Sequence, residues 1–336
     1  MNNACTHWIE SSGAGAPWLC LGLFLAGSLL MVWRLEAMSA RGLEGTVLGT
    51  LVMPYCSGLG NLVFAYMLGR TGGNSREVMT NCLVNNVTNM TLLIGLPAVI
   101  WGLSLGPRKK SAPGKKSRGG GEEVQRVNRL SLLLTMIAVV FFTGATWALG
   151  RDGKIDFADG LVLVGLFLFW QIFHVFEVLK TDVTQKRTLG FRLMVDLALL
   201  LVGAYGVYLS TGWLVKWVSA QHNGFVSAAH LGWLSGWLMV LPNALLALYY
   251  GAKGRAEVVY ASQIGDGHIC IPLCLGVFAL FRPIPLPDFF QLGVGLLLAS
   301  VAVHFCCIAV FGRLPRWIGA LLVAGYGLFV WKGLIQ

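Results

Sequence analysis

Asn81, Asn85 and Asn89 recur at steps of four in this 336-residue chain, with Thr88 seven residues after Asn81. A helix of about 3.6 residues per turn sets all four on one face. Asn86 stands beside the stripe. Amide carbonyls are hard oxygen donors, and a row of them facing a cavity replaces the hydration shell of a hard cation. The competing role for such a row is hydrogen bonding between helices. Asp266, in SQIGDGH, is read as the one carboxylate deep within an apolar run. There it needs a cation, a proton or a partner, because an uncompensated charge in hydrocarbon costs several kcal/mol. Two interruptions carry the same chemistry: CSGLGN puts Gly58 and Gly60 before Asn61, and LPN puts Pro242 before Asn243. Both predict broken helices with freed carbonyls, which a membrane tolerates only where they line a cavity or are packed by protein. His268 lies two residues after Asp266, a step that points it away on a regular helix, while His230 and His304 read as core histidines among apolar neighbours. Nothing sets a nucleophile beside an orienting base, so no enzyme is expected.

The elements that must position these residues follow from composition. Apolar residues make up 56% of the chain and charged ones 12%, with mean hydropathy +0.70, which excludes an ordinary soluble enzyme. Ten apolar runs, each near the ~20 residues that span a bilayer, lie at 17–33, 44–68, 77–104, 130–149, 157–179, 193–215, 226–250, 256–281, 287–311 and 315–335. The expected architecture is an all-α membrane protein of about ten transmembrane helices. The stretch at 106–129 is rich in Gly, Lys, Ser and Pro and reads as a basic cytoplasmic linker. It separates the first three helices (1–105) from the fourth and fifth (130–180), with the second half at 190–336. The N-terminus carries no basic stretch ahead of its apolar run, so Pro17 onward reads as a first span and not a cleaved signal. The eight cysteines fall almost entirely in apolar runs and read as reduced packing residues.

The net charge of +10 is distributed by topology. Connections after runs 1, 3, 5, 7 and 9 hold eighteen of the 25 basic residues, and the remaining connections and both termini hold seven. Since Lys and Arg mark the cytoplasmic side, both termini are expected to be non-cytoplasmic. Nucleic acid is not an expected partner; membrane lipids are, and the linker's basic residues either contact anionic headgroups or simply enforce topology. Five runs per half is an odd number, so the halves should have opposite orientations, the build of many secondary transporters.

At these residues the sequence resembles the cation/Ca²⁺ exchanger superfamily, which includes the sodium/calcium exchangers and small bacterial relatives. The family's alpha repeats carry a TSLPE-like break, a short turn and a GNxxGSNxxN-like helix. Here the first repeat reads SGLGN and then TGGNSREVMTNCLVNNVTNMTLLIGL; the second reads MVLPN and then AEVVYASQIGDGHICIPLCLG. Runs 1 and 6 are similar to the family's gating helices. The resemblance implies an integral membrane protein of a bacterial inner membrane, two inverted five-helix repeats, and alternating access around a midplane site. It places Asn61 and Asn243 where the family has its two ion-binding glutamates. Asn85 and Asn89 match the polar ligands of the third helix; Asp266 falls on the serine, and Cys270 on the Asp or Asn, of the eighth. Ser57 matches the Thr of the first break, and Gly58 replaces its Ser. The implied site thus carries about one negative charge where the family has two or more.

A secondary transporter, an antiporter of an inorganic cation, is therefore the expected function, with Ca²⁺, Na⁺ or H⁺ as the transported ion and no cofactor. One Asp with amides suits a monovalent or proton-coupled ion better than a dehydrated divalent one. The alternative is a non-transporting scaffold or sensor that retains the fold, which the missing glutamates favour.

Overall fold

The computed structural model describes residues 9, 11–40, 55–56, 58–105, 120–182 and 191–335. Within them the apolar runs become helices α1 (Ala16–Ala40), α2 (Leu59–Thr71), α3 (Arg76–Trp101), α4 (Gly120–Leu149), α5 (Phe157–Asp182), α6 (Phe191–Ser219), α7 (Leu231–Ala252), α8 (Ala256–Ala279), α9 (Phe290–Phe311) and α10 (Arg316–Val330). Eight of them, all but α2 and α5, are long and apolar enough to cross a bilayer. Residues 44–54 of the second run, Ser57, and residues 106–119 of the expected linker lie outside the described residues. The fourth helix starts at Gly120, earlier than the expected 130. GEEVQRVNRL is polar but contains good helix formers, so propensity carries the helix past the end of the apolar run. Asp156 caps α5: its Oδ1 accepts from the backbone N–H of Ala158 at 3.0 Å and of Asp159 at 3.4 Å. The backbone hydrogen bond with Asp159 holds this carboxyl below the usual range.

Burial separates two classes of helix. In α3 and α8, 78% and 71% of the span is buried, against 33% in both α1 and α6. The helices that carry polar residues mid-span, α3 and α8, therefore form the centre, and the more uniformly apolar α1 and α6 lie outside. Large apolar side chains such as Trp18, Phe169, Leu201 and Phe281 point outward, the pattern of a surface solvated by lipid.

Of the two expected breaks one is present: Gly58 is non-helical and α2 begins at Leu59, two residues before Asn61; the other is not. Pro242 sits inside α7, which continues as α-helix through it from Leu231 to Ala252. The missing N–H of a proline is tolerated in a spanning helix when neighbouring helices pack around it. The chain is instead interrupted in α3 and α8, by π-helical turns at Thr88–Leu92 and Cys270–Cys274. A π turn inserts one extra residue and frees a carbonyl. In α3 that liability is met by His304 of α9, whose Nε2 lies 2.8 Å from the Met90 carbonyl oxygen. His304 is fully buried, as expected of a core histidine. His230 is not one: it ends the turn Ala228–His230 ahead of α7, half-buried, with its ring stacked on Phe225. The run 226–250 looked helical throughout because its first residues are apolar.

Short strands tie the ends of the helices together. Leu103–Ser104 (β1), after α3, pairs antiparallel with Arg313–Leu314 (β4), between α9 and α10. Lys154–Ile155 (β2), between α4 and α5, pairs with Ile284–Pro285 (β3), after α8. The 22-residue α9 separates β3 from β4 by about 33 Å, so α3 and α8 end at opposite ends of the molecule. Close helix contacts follow the same exchange. A Cβ on Gly95 (α3) would lie 2.9 Å from the Gly319 carbonyl oxygen (α10), and one on Gly160 (α5) 2.9 Å from that of Gly276 (α8). Between α1 and α6, a Cβ on Gly27 would lie 2.8 Å from the Gly203 oxygen, and one on Gly203 would lie 2.8 Å from the Gly27 oxygen. Small residues at such crossings let backbones touch where lipid supplies no hydrophobic drive to associate.

The α1–α6 pair is also joined by charge. Arg34 Nη1 lies 3.4 Å from Asp196 Oδ1, and Asp196 is 2% exposed. The carboxylate of Asp196 is buried against its partner from the adjacent helix. Glu77, at the start of α3, is a second buried acid that the sequence reading did not single out. Its Oε2 accepts from the backbone N–H of Gly232 at 2.7 Å, at the N-terminus of α7, where a helix dipole favours a carboxylate.

Candidate cation site

Asn81 and Asn85 lie on regular α-helix, Arg76 to Val87, and Asn89 is the second residue of the π turn that begins at Thr88, still bonded to Asn85. Asn85 and Asn89 are completely buried, and Asn61 is 2% exposed. They form a chain of amides: Asn89 Nδ2 donates to Asn85 Oδ1 at 3.1 Å, and Asn85 Nδ2 donates to Asn61 Oδ1 at a long 3.5 Å. This arrangement keeps α3 and α2 neutral and paired without an ion. A cation drawing on these oxygens must compete with hydrogen bonds worth about 1 kcal/mol each. One turn back, Asn81 Nδ2 donates to Ser235 Oγ of α7 at 3.0 Å, while its buried Oδ1 has no hydrogen-bond partner. Asn86, beside the stripe, bonds its own helix through the Cys82 carbonyl at 2.7 Å.

Asn243 joins the group from α7. Asn61 and Asn243 line one cavity of about 60 Å³, room for one or two waters or an unhydrated ion. Its other walls include Phe24, Ser28 and Met31 of α1, Val207 of α6 and Met239 of α7. The cavity therefore lies between the α1–α6 pair and the central helices. The structure brings together Asn61, Asn85, Asn89 and Asn243 by these contacts. Ser57 lies outside the described residues. Asp266 is on α8, and its side chain is likewise outside what is described. Helix α8 reaches the site through Gln263, three residues before Asp266: the Gln263 side-chain amide donates to the Asn243 backbone carbonyl at 3.2 Å. Gln263 was missed from sequence, although a polar residue at an i, i+3 step from an intramembrane acid was the available signal. Cys270 is fully buried, and its carbonyl accepts the Cys82 thiol of α3 at 3.2 Å. His268 Nε2 lies 3.2 Å from the Thr135 carbonyl of α4.

Among the described residues, no three His, Cys, Asp or Glu side chains are placed to hold a metal ion. The donors gathered here are amide oxygens and hydroxyls. Asn85→Ala is expected to strand Asn61 Oδ1 and to remove the bond from Asn89 Nδ2, at a cost of about 1–3 kcal/mol. Thermal unfolding in detergent, compared with the surface control Asp288→Asn, checks it.

This geometry has relatives. The profile of the family described as sodium/calcium exchanger protein matches residues 15–176 and 195–332. The chain belongs to that family. The two matched blocks contain the asparagine stripe and the Pro242–Asn243 pair, so the exchanger is an integral membrane protein of the cation-transporting class. The residue comparison with solved structures agrees in fold. Structures of the sodium-calcium exchanger NCX_Mj soaked with Na⁺ and Sr²⁺ superpose with TM-scores of 0.62 and 0.61 at 20% identity. In the first, 95% of this chain and 97% of the other are covered; in the second, 93% and 96%. A structure of the same protein in 10 mM Na⁺ without Ca²⁺ matches at TM-score 0.61. No curated protein sequence matches the exchanger.

Proposed function

We propose that the protein is a cation antiporter working by alternating access, with its ion held between α2, α3, α7 and α8. The cavity shared by Asn61 and Asn243 carries this reading, because it lies where the α1–α6 pair meets the central helices. A sliding pair must move as one body, and the Gly27–Gly203 contact with the Arg34–Asp196 ion pair fastens α1 to α6. Opposite ends for β1 and β3, with the matched glycine contacts of α3–α10 and α8–α5, support two inverted five-helix repeats. The basic-residue sorting then sets both termini on the non-cytoplasmic side of ten spans. The bacterial inner membrane is the setting in which the small relatives it resembles operate.

Asn61, Asn85, Asn89, Asn243 and Asp266, with Ser57, make up the site in this reading. Asp266 is its single neutralising carboxylate, filled by a proton or a cation, and an empty charged site resists reorientation. Amide-rich coordination favours Na⁺ or H⁺ over Ca²⁺ as the tightly held ion. The scaffold alternative has no observation in its favour beyond the absent glutamates. Flux in proteoliposomes decides: with Na⁺, Ca²⁺ and pH gradients imposed in turn, one of these ions is expected to be exchanged against another. Absence of flux under every gradient overturns the transport reading.

A further inference from the structure

A second cavity, of about 390 Å³, lies along the same groove toward the end of the molecule where α1 begins. Its walls continue those of the site cavity helix by helix: Leu21 precedes Phe24 on α1, Thr211 follows Val207 on α6, and Ser235 precedes Met239 on α7. Each step is three or four residues, so the two cavities are stacked on one three-helix face. Among the described residues, Met239 is the one that lines both. Its thioether sits over Gly60, where a Cβ would lie 2.3 Å from the Met239 sulfur and 3.6 Å from the Phe24 ring. Glycine at 60 is thus the seat of the Met239 side chain, immediately before the site residue Asn61. The larger cavity is mostly apolar, but at this depth it has Thr211, 1% exposed, with a hydroxyl that has no hydrogen-bond partner. Ser235, bonded to Asn81, stands one turn from Met239.

From this placement we propose that Met239 is the gate between an outer entry cavity and the ion site, closed by seating on Gly60 and opened by rotation of its unbranched side chain. The proposal rests on the reading of the Asn61–Asn243 cavity as the ion site. Methionine has three flexible torsions, so it clears the passage by a rotamer change without moving a helix. The Thr211 hydroxyl and the Asn81 and Ser235 polar groups then lie beside the passage, as partners for an ion shedding water before it reaches Asn61.

Cys56 lines the site cavity and is half-buried, which makes it a native reporter. The test is its rate of modification by a charged methanethiosulfonate, read by peptide mass spectrometry on the full chain in phosphatidylcholine nanodiscs. Met239→Ala is expected to be modified about tenfold faster than wild type, since the rotamer excursion before labelling is no longer required. Met239→Leu, which keeps the bulk, is expected to label as wild type does. A wild-type rate in Met239→Ala, or equal acceleration in Met239→Leu, overturns the gate. If Met239→Ala does not fold, Gly60→Ala replaces it, because the added Cβ drives the thioether off its seat; the same two outcomes apply. Labelling needs no transport, so a failed gate and a failed transport reading are told apart.

Discussion

Asp266→Asn is expected to lower cation exchange in proteoliposomes by about a hundredfold while leaving the fold intact. A unit charge about 4 Å from a cation is worth ~4 kcal/mol at an effective dielectric of about 20, and each ~1.4 kcal/mol is a factor of ten. Part of that loss is recovered because the amide oxygen still coordinates. Asparagine has nearly the shape of aspartate, so unchanged thermal unfolding separates lost charge from lost structure. Wild-type flux in Asp266→Asn removes Asp266 from the mechanism and leaves coordination to the amides of Asn61, Asn85, Asn89 and Asn243. The reverse change adds to the case. Asn61→Glu puts a carboxylate into the 60 Å³ cavity and is expected to make Ca²⁺ a stronger competitor against Na⁺, since divalent ions select for carboxylate oxygens.

The second large effect is expected at the glycine crossings. Gly27→Val puts branched carbon where a Cβ alone would lie 2.8 Å from the Gly203 carbonyl oxygen. Backbone cannot yield as a side-chain end does, so α1 and α6 must separate, at about 1–3 kcal/mol or more. The measurable results are a lower unfolding temperature in detergent and reduced exchange, because the pair no longer moves as one body. Gly95→Val and Gly276→Val repeat the experiment at the contacts of α3 with α10 and of α8 with α5, where they are expected to cause comparable losses of stability. A large loss at one and none at the other argues against equivalent packing in the two halves. Gly165, which has open space around its would-be Cβ, is the control: valine there is expected to be tolerated.

Most of the fold was legible because a bilayer leaves a chain few options. Runs of apolar residues must become helices, and their number, ends and basic flanks are written locally. The α3 stripe was legible for the same reason: a step of four holds along an α-helix, here from Asn81 to Asn85, and Asn89 in the π turn stays bonded to Asn85. The break before Asn61 was legible in its glycines, since Gly58 is non-helical and α2 starts at Leu59; the one expected in α7 was not there. Pro242 suggested an interruption, yet α7 runs through it. The π turns of α3 and α8 carry no comparable mark, since they are set by packing and by partners such as His304, 214 residues from Met90. Glu77 was passed over because it stands at the polar end of its run, and only the arrival of Gly232 turns that end into a buried site.

The sequence by itself determined the class of solvent, the helices and the spacing of the amides along α3. These are properties of single helices and of residue spacing along them. The tertiary structure decided which amides meet: Asn61 with Asn85, Asn61 with Asn243 across a cavity, and Asn243 with Gln263. It also decided that Met239 stands between two cavities. Those relations arise where helices far apart in the chain cross. The distance of each crossing is set by which pairs of small residues come face to face, and no local period encodes that pairing.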